Sequence, residues 1–136
     1  RINDSMGKFV VEQVVKCMIK KNININKSKV LVLGFTFKEN CPDFRNTKVI
    51  DIVNELNSYG FDTTVIDPLV NIEDVKNNYD INILNNLNFT NKYDALILAV
   101  GHNEFNKINP LGLLNKTNVI FDVKGFFPKE MVDGRL

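Results

Sequence analysis

Cationic and polar side chains follow three apolar stretches of the sequence. Lys38 and Arg45 stand in the loop after "KVLVLGF", His102 follows "DALILAVG", and Lys124 follows "NVIFDV". Ammonium and guanidinium groups bind phosphate through charge-assisted hydrogen bonds. We expect the helix after Arg45 to begin near Asn46, so that its free amide groups and positive dipole end lie close to the arginine. The pattern predicts a site for a diphosphate, neutralised without a metal ion.

Each of these side chains also has an ordinary structural role open to it. Lys38 can be a solvated surface lysine, and Arg45 can pair with Asp43 within its own loop. His102 can be a hydrogen-bonding loop residue, because the sequence assigns it no carboxylate or serine partner that would make it a base. Cys41, in the same polar loop as the first two cations, can simply fill space there.

Asp67 ends the stretch "FDTTVIDP", where a dinucleotide-binding fold places the acid that binds ribose. That fold also needs the G-x-G-x-x-G turn after its first strand, and "LGFTFK" has one glycine where three are required. We therefore interpret Asp67 as a structural residue that terminates a strand before Pro68.

The apolar pattern predicts the elements that position these residues. One amphipathic helix runs from Ser5 to about Lys21, with "NDS" capping it. "KVLVLGF" is typical of a strand buried on both faces, and "FDTTVIDP", "DALILAV" and "NVIFDVKG" are further strands. Between the first two strands, "NTKVIDIVNELNSYG" predicts a helix with Asn46 or Thr47 as N-cap and Gly60 as its stop.

Weaker helical patterns lie around residues 71–78 and 110–114. Strands that alternate with helices indicate βαβ crossovers. The fold class is therefore α/β: a Rossmann-like, doubly wound, mostly parallel sheet with helices on both faces, preceded by an N-terminal linker helix. Ligands of such sheets bind beyond the carboxyl ends of the strands, where the cations above are expected.

Composition narrows the classes of function. The chain has 136 residues with 17 lysines and arginines against 16 acids, so no basic field favours nucleic acid or an anionic membrane. Cys17 and Cys41 form no CxxC motif, and no apolar run approaches the roughly 20 residues of a membrane span. We expect a reduced, cytoplasmic protein, and its first residue, Arg1, suggests a domain excised from a larger enzyme.

Five stretches together carry a family resemblance: "RINDSM", "LGFTFKENCPDFRNTKVIDI", "VIDP", "AVGHNEF" and "IFDVKG". They resemble the C-terminal, UDP-binding domain of the UDP-glucose/GDP-mannose dehydrogenase family, over nearly the whole chain. The most specific part is formed by Phe37, Lys38, Asp43 and Arg45. "FKENCPDFRN" and "FDVKG" are more similar to the branch that oxidises UDP-N-acetylhexosamines, such as UDP-GalNAc or UDP-GlcNAc. In the UDP-glucose branch an arginine commonly stands in place of Lys124.

The resemblance implies that Phe37, Lys38 and Lys124 bind the UDP-sugar and that Arg45 approaches the NAD side of the same cleft. Residues 1–24 would be the end of the connecting helix, which in this family builds the homodimer, and residues 25–136 the UDP-sugar-binding domain.

The family oxidises a sugar C6 alcohol to a uronate in two hydride transfers to NAD, and the product enters surface polysaccharides such as capsule or O-antigen. The resemblance places the cysteine nucleophile and most of the NAD site in domains outside this chain. It follows that the chain alone would bind but not catalyse, with no catalytic residue of its own. A UDP-glucose or GDP-mannose 6-dehydrogenase, or a stand-alone nucleotide-binding module, remains an alternative.

Overall fold

The computed structural model describes residues 2–89 and 91–136, with side chains from Ser5 onward. The α-helices in this described part are α1 (Ile2–Lys20), α2 (Val49–Ser58) and α3 (Ile72–Asn78). Its strands are β1 (Lys29–Leu33), β2 (Asp62–Ile66), β3 (Ile83–Leu84), β4 (Tyr93–Leu98), β5 (Leu114–Asp122) and β6 (Gly134–Arg135). Its 3₁₀ helices are η1 (Asn103–Lys107), η2 (Pro110–Leu113) and η3 (Lys129–Met131).

The strands form one sheet in the order β3-β2-β1-β4-β5-β6, and every pair of neighbours is parallel. From β1 the chain builds outward to β3 and then returns to place β4 on the other side of β1. Leu33, the last residue of β1, therefore pairs with Leu98, the last residue of β4. This is the strand order of the Rossmann fold, with its switch point between β1 and β4. The predicted fold class is confirmed.

Strand β1 is buried on both faces. Val30 and Val32 belong to the apolar core on one side of the sheet, and Leu31 and Leu33 belong to the core on the other. All four side chains are fully buried. Because alternate residues of a strand point to opposite faces, an uninterrupted apolar run is what a central strand requires.

The two faces are covered by different kinds of helix. The core with Val30 and Val32 also includes apolar residues of α1, α2 and α3. On the other face, Phe105 of η1 and Leu113 of η2 pack into the second core. Helices on both faces were predicted, but the second face carries short 3₁₀ helices. The weak pattern at residues 110–114 belongs to one of these.

Helix α1 is part of the main core rather than an appendage. Its buried apolar residues are Val10, Val11, Val14 and Met18. The helix begins at Ile2, so the stretch "NDS" lies within it instead of preceding it; the side chains of residues 3 and 4 lie outside the described part. At Gly7, an added Cβ would lie 2.8 Å from the backbone carbon of Asp51 in α2. The two helices therefore cross with almost no space between their backbones.

Helix α2 begins later than the sequence predicts. Its N-cap is Lys48, whose side chain makes no capping bond, while Asn46 has a left-handed φ of 63°. The Thr47 hydroxyl accepts the Val49 N–H at 3.1 Å, so it binds the first turn from one position before the cap. The N-cap prediction of Asn46 or Thr47 is wrong by one or two positions. Gly60, with φ 88°, ends the helical turn as predicted.

Candidate functional site

A cavity of about 270 Å³ lies beyond the carboxyl ends of β1, β4 and β5, at the switch point of the sheet. Polar and cationic residues on its lining are Thr36, Lys48 and Lys124; apolar ones are Met6, Phe37, Val49, Ile52, Ala99, Val100, Val123 and Leu136. This is the position where open α/β sheets bind ligands. An apolar lining with a few polar groups is also the usual composition of a small-molecule site.

Two ammonium groups border this cavity. Lys124 follows the end of β5, and Lys48 immediately precedes α2. Among the described residues, no carboxylate pairs with either lysine. Both are therefore available to an anion. The cavity also has an exposed aromatic side chain, because Phe37 is 57% solvent-exposed.

The loop that carries Lys124 is fixed by a buried carboxylate. Asp122 is completely buried, and its two oxygens accept the N–H groups of Lys124 at 3.1 Å and Phe127 at 2.7 Å. Gly125 has a φ of 69°, which non-glycine residues rarely adopt. Arg135 Nη2 lies only 2.5 Å from where a Cβ on Gly125 would stand. The end of β5 thus has a defined backbone with a second cation beside it.

Lys38 does not line this cavity. Its side chain is exposed, as are those of Phe37 and Glu39. The Lys38 carbonyl accepts the Thr36 hydroxyl at 3.0 Å, and the Phe37 N–H donates to the Asp43 carbonyl at 2.8 Å. The backbone of this loop is therefore held in place while the Lys38 ammonium group points to solvent.

Arg45 makes the local pair that the sequence allowed as an alternative. Its Nε and Nη2 donate to the two carboxylate oxygens of Asp43, each at 2.9 Å, and the Arg45 N–H donates to the same carboxylate. Hydrogen bonding to Arg45 lowers the pKa of Asp43 to about 2. The Arg45 side chain is 83% exposed, and Nη1 has no partner among the described residues. The guanidinium is therefore oriented by Asp43 and still open to an anion.

Arg45 and Lys124 border different cavities. Arg45 lines a larger, polar cavity of about 610 Å³ between residues 42–46 and the end of α3. Phe44 fixes that loop, because its ring packs against the rings of Phe35 and Tyr79. Since α2 begins at Val49 and not near Asn46 as predicted, its first turn contributes Val49 and Ile52 to the Lys124 cavity, and Arg45 does not line that cavity.

Asp67 is completely buried and organises the end of β1. Its Oδ2 accepts the N–H groups of Phe35 at 2.6 Å and Thr36 at 3.1 Å, and its Oδ1 accepts the Leu69 N–H at 2.9 Å. These bonds give Asp67 the structural role interpreted from the sequence. Each of these bonds supplies a hydrogen-bond donor to a carboxylate oxygen that is buried away from water.

His102 is fully buried and completes this network. Its Nε2 lies 2.9 Å from Asp67 Oδ2 and 3.1 Å from Thr36 Oγ1, and its Nδ1 accepts the Asn40 N–H at 3.0 Å. Because Nδ1 is an acceptor, the ring proton lies on Nε2 and points to Asp67. The imidazole has no contact with solvent. This burial fits the role of a hydrogen-bonding loop residue and does not fit the role of a base that contacts a substrate directly.

Some site residues were missed at the level of sequence. Lys48 looked like any lysine before a helix, and only the true start of α2 places it at the cavity. Arg135 was missed because β6 is only two residues long.

Neither Cys17 nor Cys41 belongs to a group of metal-binding side chains, since the described residues contain no cluster of three or more His, Cys, Asp or Glu residues that could hold a metal ion. Within those same residues, no helix has the length and apolar character needed to cross a bilayer.

Comparison with known proteins finds relatives in both sequence and fold. A UDP-N-acetyl-D-glucosamine 6-dehydrogenase of Salmonella typhi is 45% identical to this chain. The match covers all of this chain and 32% of the length of that enzyme. Protein CapL of Staphylococcus aureus is 37% identical over 92% of this chain and 30% of its own length. An NDP-N-acetyl-D-galactosaminuronic acid dehydrogenase structure from Methanosarcina mazei shares the fold, with a TM-score of 0.81, 24% identity, and coverage of 95% of this chain and 27% of that one.

The chain thus spans about a third of the length of these relatives. Residues 31–129 match the UDP-binding domain of one family, and this segment includes the last three residues of β1, the loop with Lys38 and Arg45, His102 and Lys124. The chain belongs to the UDP-glucose/GDP-mannose dehydrogenase family, of which it carries the UDP-binding domain.

Proposed function

We propose that this chain is the UDP-sugar-binding part of an NAD-dependent dehydrogenase that oxidises the C6 alcohol of a UDP-N-acetylhexosamine. The observation that carries the proposal is the cavity at the switch point, with Phe37, Lys48 and Lys124 on its lining. An exposed aromatic ring suits a flat uracil or sugar surface, and two unpaired ammonium groups suit a diphosphate.

Phe37, Lys38 and Lys124 are proposed as the substrate-binding residues of this chain. Phe37 and Lys124 line the same cavity, and Lys38 follows Phe37 on an exposed loop with a fixed backbone. The sugar is expected to extend from the cavity across this loop, so that the Lys38 ammonium contacts it. A second part of the enzyme would complete the site, since the relatives are about three times longer.

Arg45 is proposed to contact NAD. It borders a separate polar cavity, and its free Nη1 faces away from the Asp43 carboxylate. In this arrangement the sugar nucleotide and the cofactor approach two sides of the loop formed by residues 36–46. Most of the NAD site would lie outside the chain, because the turn after β1 has one glycine.

The hexosamine branch is favoured by the names of the relatives and by Lys124 in place of an arginine. UDP-N-acetylglucosamine and UDP-N-acetylgalactosamine are both candidates. The uronate product would serve capsule or O-antigen synthesis in the cytoplasm. Residues 1–24 are proposed to end the connecting helix of a homodimer, and residues 25–136 to form the UDP-sugar-binding domain.

The test uses the full-length enzyme proposed to contain this chain. Lys124→Ala should weaken UDP binding at least tenfold in calorimetry, since a charge-assisted hydrogen bond contributes about 1.5–3 kcal/mol and about 1.4 kcal/mol is a factor of ten. Lys116→Ala is the matched control, because Lys116 is an exposed lysine of β5, the strand that Lys124 follows, and does not line the cavity. Equal UDP affinities of the two variants, or no UDP binding by the parent, would overturn the proposal.

A further inference from the structure

Residues 36–40 form the exposed loop of the proposed site, and both of its ends are tied to one buried side chain. At one end, Thr36 Oγ1 lies 3.1 Å from His102 Nε2. At the other, the Asn40 N–H donates to His102 Nδ1 at 3.0 Å. Phe37 and Lys38 stand between these two contacts, and both are exposed.

The two ring nitrogens of His102 contact different parts of the molecule. Nε2 donates toward Asp67 Oδ2 at 2.9 Å, and that oxygen also accepts the N–H groups at the end of β1. Nδ1 contacts only the loop, at Asn40. The imidazole therefore joins Asp67 at the rigid end of the sheet, through Nε2, to the far end of the substrate-binding loop, through Nδ1. Nε2 also contacts Thr36, whose backbone N–H is held independently by Asp67.

A second bond strengthens the connection at Asn40. Its Oδ1 accepts the Asn103 N–H at 2.8 Å, directly after His102 in sequence. Asn40 has a φ of 59°, in the left-handed region that asparagine tolerates better than most residues. The far end of the loop is thus held to the segment that follows β4 by two hydrogen bonds from one residue.

We propose that His102 is a positioning residue for substrate binding: through the bond between its Nδ1 and Asn40 it sets the place of Phe37 and Lys38. The inference rests on the proposed function. A positioned binding group loses less conformational freedom when the ligand arrives, so the loop contributes to affinity without His102 contacting the ligand. The bond from Nε2 to Asp67 stabilises the fold, whereas the bond at Nδ1 tunes the affinity for UDP-sugars.

Two variants separate these bonds. In His102→Asn the side-chain oxygen stands near the place of Nδ1 and can accept the Asn40 N–H, but nothing reaches Asp67. In His102→Gln the amide nitrogen stands near the place of Nε2 and can donate to Asp67, while the acceptor for Asn40 is lost. If His102 had a purely structural role, each of the two variants would lose UDP affinity in proportion to its own loss of stability.

The experiment measures UDP affinity by calorimetry and Tm by circular dichroism in the full-length parent. We expect the Kd of His102→Gln to be at least three times that of His102→Asn, although His102→Asn has the lower Tm. A Kd ratio below three overturns the inference. If the unsubstituted parent binds no UDP, the proposed function itself fails; if it binds UDP and only the ratio fails, the proposed function stands.

A surface variant decides the matter if the histidine variants do not fold. Asn40→Gly keeps the N–H that binds His102 and suits the positive φ, but removes the oxygen that holds Asn103. We expect a UDP affinity within twofold of the parent, because the bond to His102 Nδ1 still holds the loop. A loss of threefold or more in the folded variant would assign the positioning to the bond between Asn40 and Asn103 and overturn the role of His102.

Discussion

Three lysines near the proposed ligand differ in what surrounds their ammonium groups. Lys48 and Lys124 line the cavity at the switch point, whereas Lys38 extends from an exposed loop. No carboxylate in the described part of the chain pairs with any of them. For Lys48 and Lys124 a ligand is the natural counter-ion. For Lys38 the geometry allows both a substrate contact and a solvated surface charge, so the distinction needs a measurement.

Lys38→Ala in the full-length parent should lower kcat/KM for the UDP-sugar at least about tenfold. A lysine bound to a phosphate or a developing oxyanion contributes about 1.5–3 kcal/mol, whereas an exposed surface charge contributes almost nothing. Steady-state kinetics give the ratio, and the Tm should stay nearly unchanged because the Lys38 side chain has no partner among the described residues.

Two other variants serve as comparisons for Lys38→Ala. Lys116→Ala should leave kcat/KM unaltered, and Arg45→Ala should weaken NAD more than the UDP-sugar, because Arg45 borders the separate cavity. If turnover by Lys38→Ala stays within twofold of the parent, Lys38 is a solvated surface lysine and does not contact the substrate.

The sequence predicts some of the residues that lie near the cavity. Lys124 could be predicted there because a parallel sheet gathers its carboxyl ends at one edge, whereas Phe37 was expected there only from the family resemblance. The bond between Asp67 and His102 could not be predicted, since it joins residues 35 positions apart and depends on the order of the strands. Arg45 paired with Asp43 was predictable as a local alternative, because the two are separated by one residue.

At the scale of elements, helix α1 controls one side of the site through its packing. Met6 lines the cavity with Lys124, and the next residue, Gly7, lies against the backbone of α2. Any shift of α1 away from α2 would move Met6 relative to Val49, which also lines the cavity. The close crossing of the two helices therefore determines the shape of the cavity as well as the stability of the core.

Gly7→Ala should destabilise the chain by about 1–3 kcal/mol, the usual cost of overpacking. The new Cβ would stand 2.8 Å from the Asp51 backbone carbon and 3.0 Å from its oxygen, and backbone atoms cannot move aside as a flexible side chain can. Urea denaturation followed by circular dichroism measures the loss. Lys8→Ala, at the neighbouring exposed position of the same helix, is the control and should be nearly neutral. An unchanged midpoint for Gly7→Ala would mean that the helices do not cross this closely.

The long elements were predictable and the short ones were not. Strands β1, β4 and β5 each contain an apolar run, at residues 30–33, 95–98 and 119–121, because both faces of the sheet are buried there. Strands β3 and β6 have two residues each, too few for a periodic pattern. The 3₁₀ helices on the second face present only one or two buried side chains each, which gives no helical periodicity to detect.

At the scale of the whole molecule, the chain is proposed to form one half of a binding cleft. Lys48, Lys124 and the cavity that they line lie at one edge of the sheet, beyond the carboxyl ends of β1, β4 and β5. The relatives are about three times as long as the chain. This edge of the sheet is where the rest of such an enzyme would have to bring a cofactor and a nucleophile to a bound UDP-sugar.

The 136-residue chain alone should therefore not reduce NAD in the presence of UDP-N-acetylglucosamine or UDP-N-acetylgalactosamine. The turn after β1 has one glycine, so its backbone cannot approach a pyrophosphate as the dinucleotide-binding turn does. Of its two cysteines, Cys17 lies in α1 and Cys41 in the loop before α2. Neither lines the cavity that holds Lys124, so neither is placed to attack a sugar bound there. Absorbance at the NADH wavelength measures turnover, and the full-length parent is the positive control. A sustained rise with the chain alone, abolished by Cys41→Ser, would place the nucleophile within this chain and contradict the division of roles proposed above.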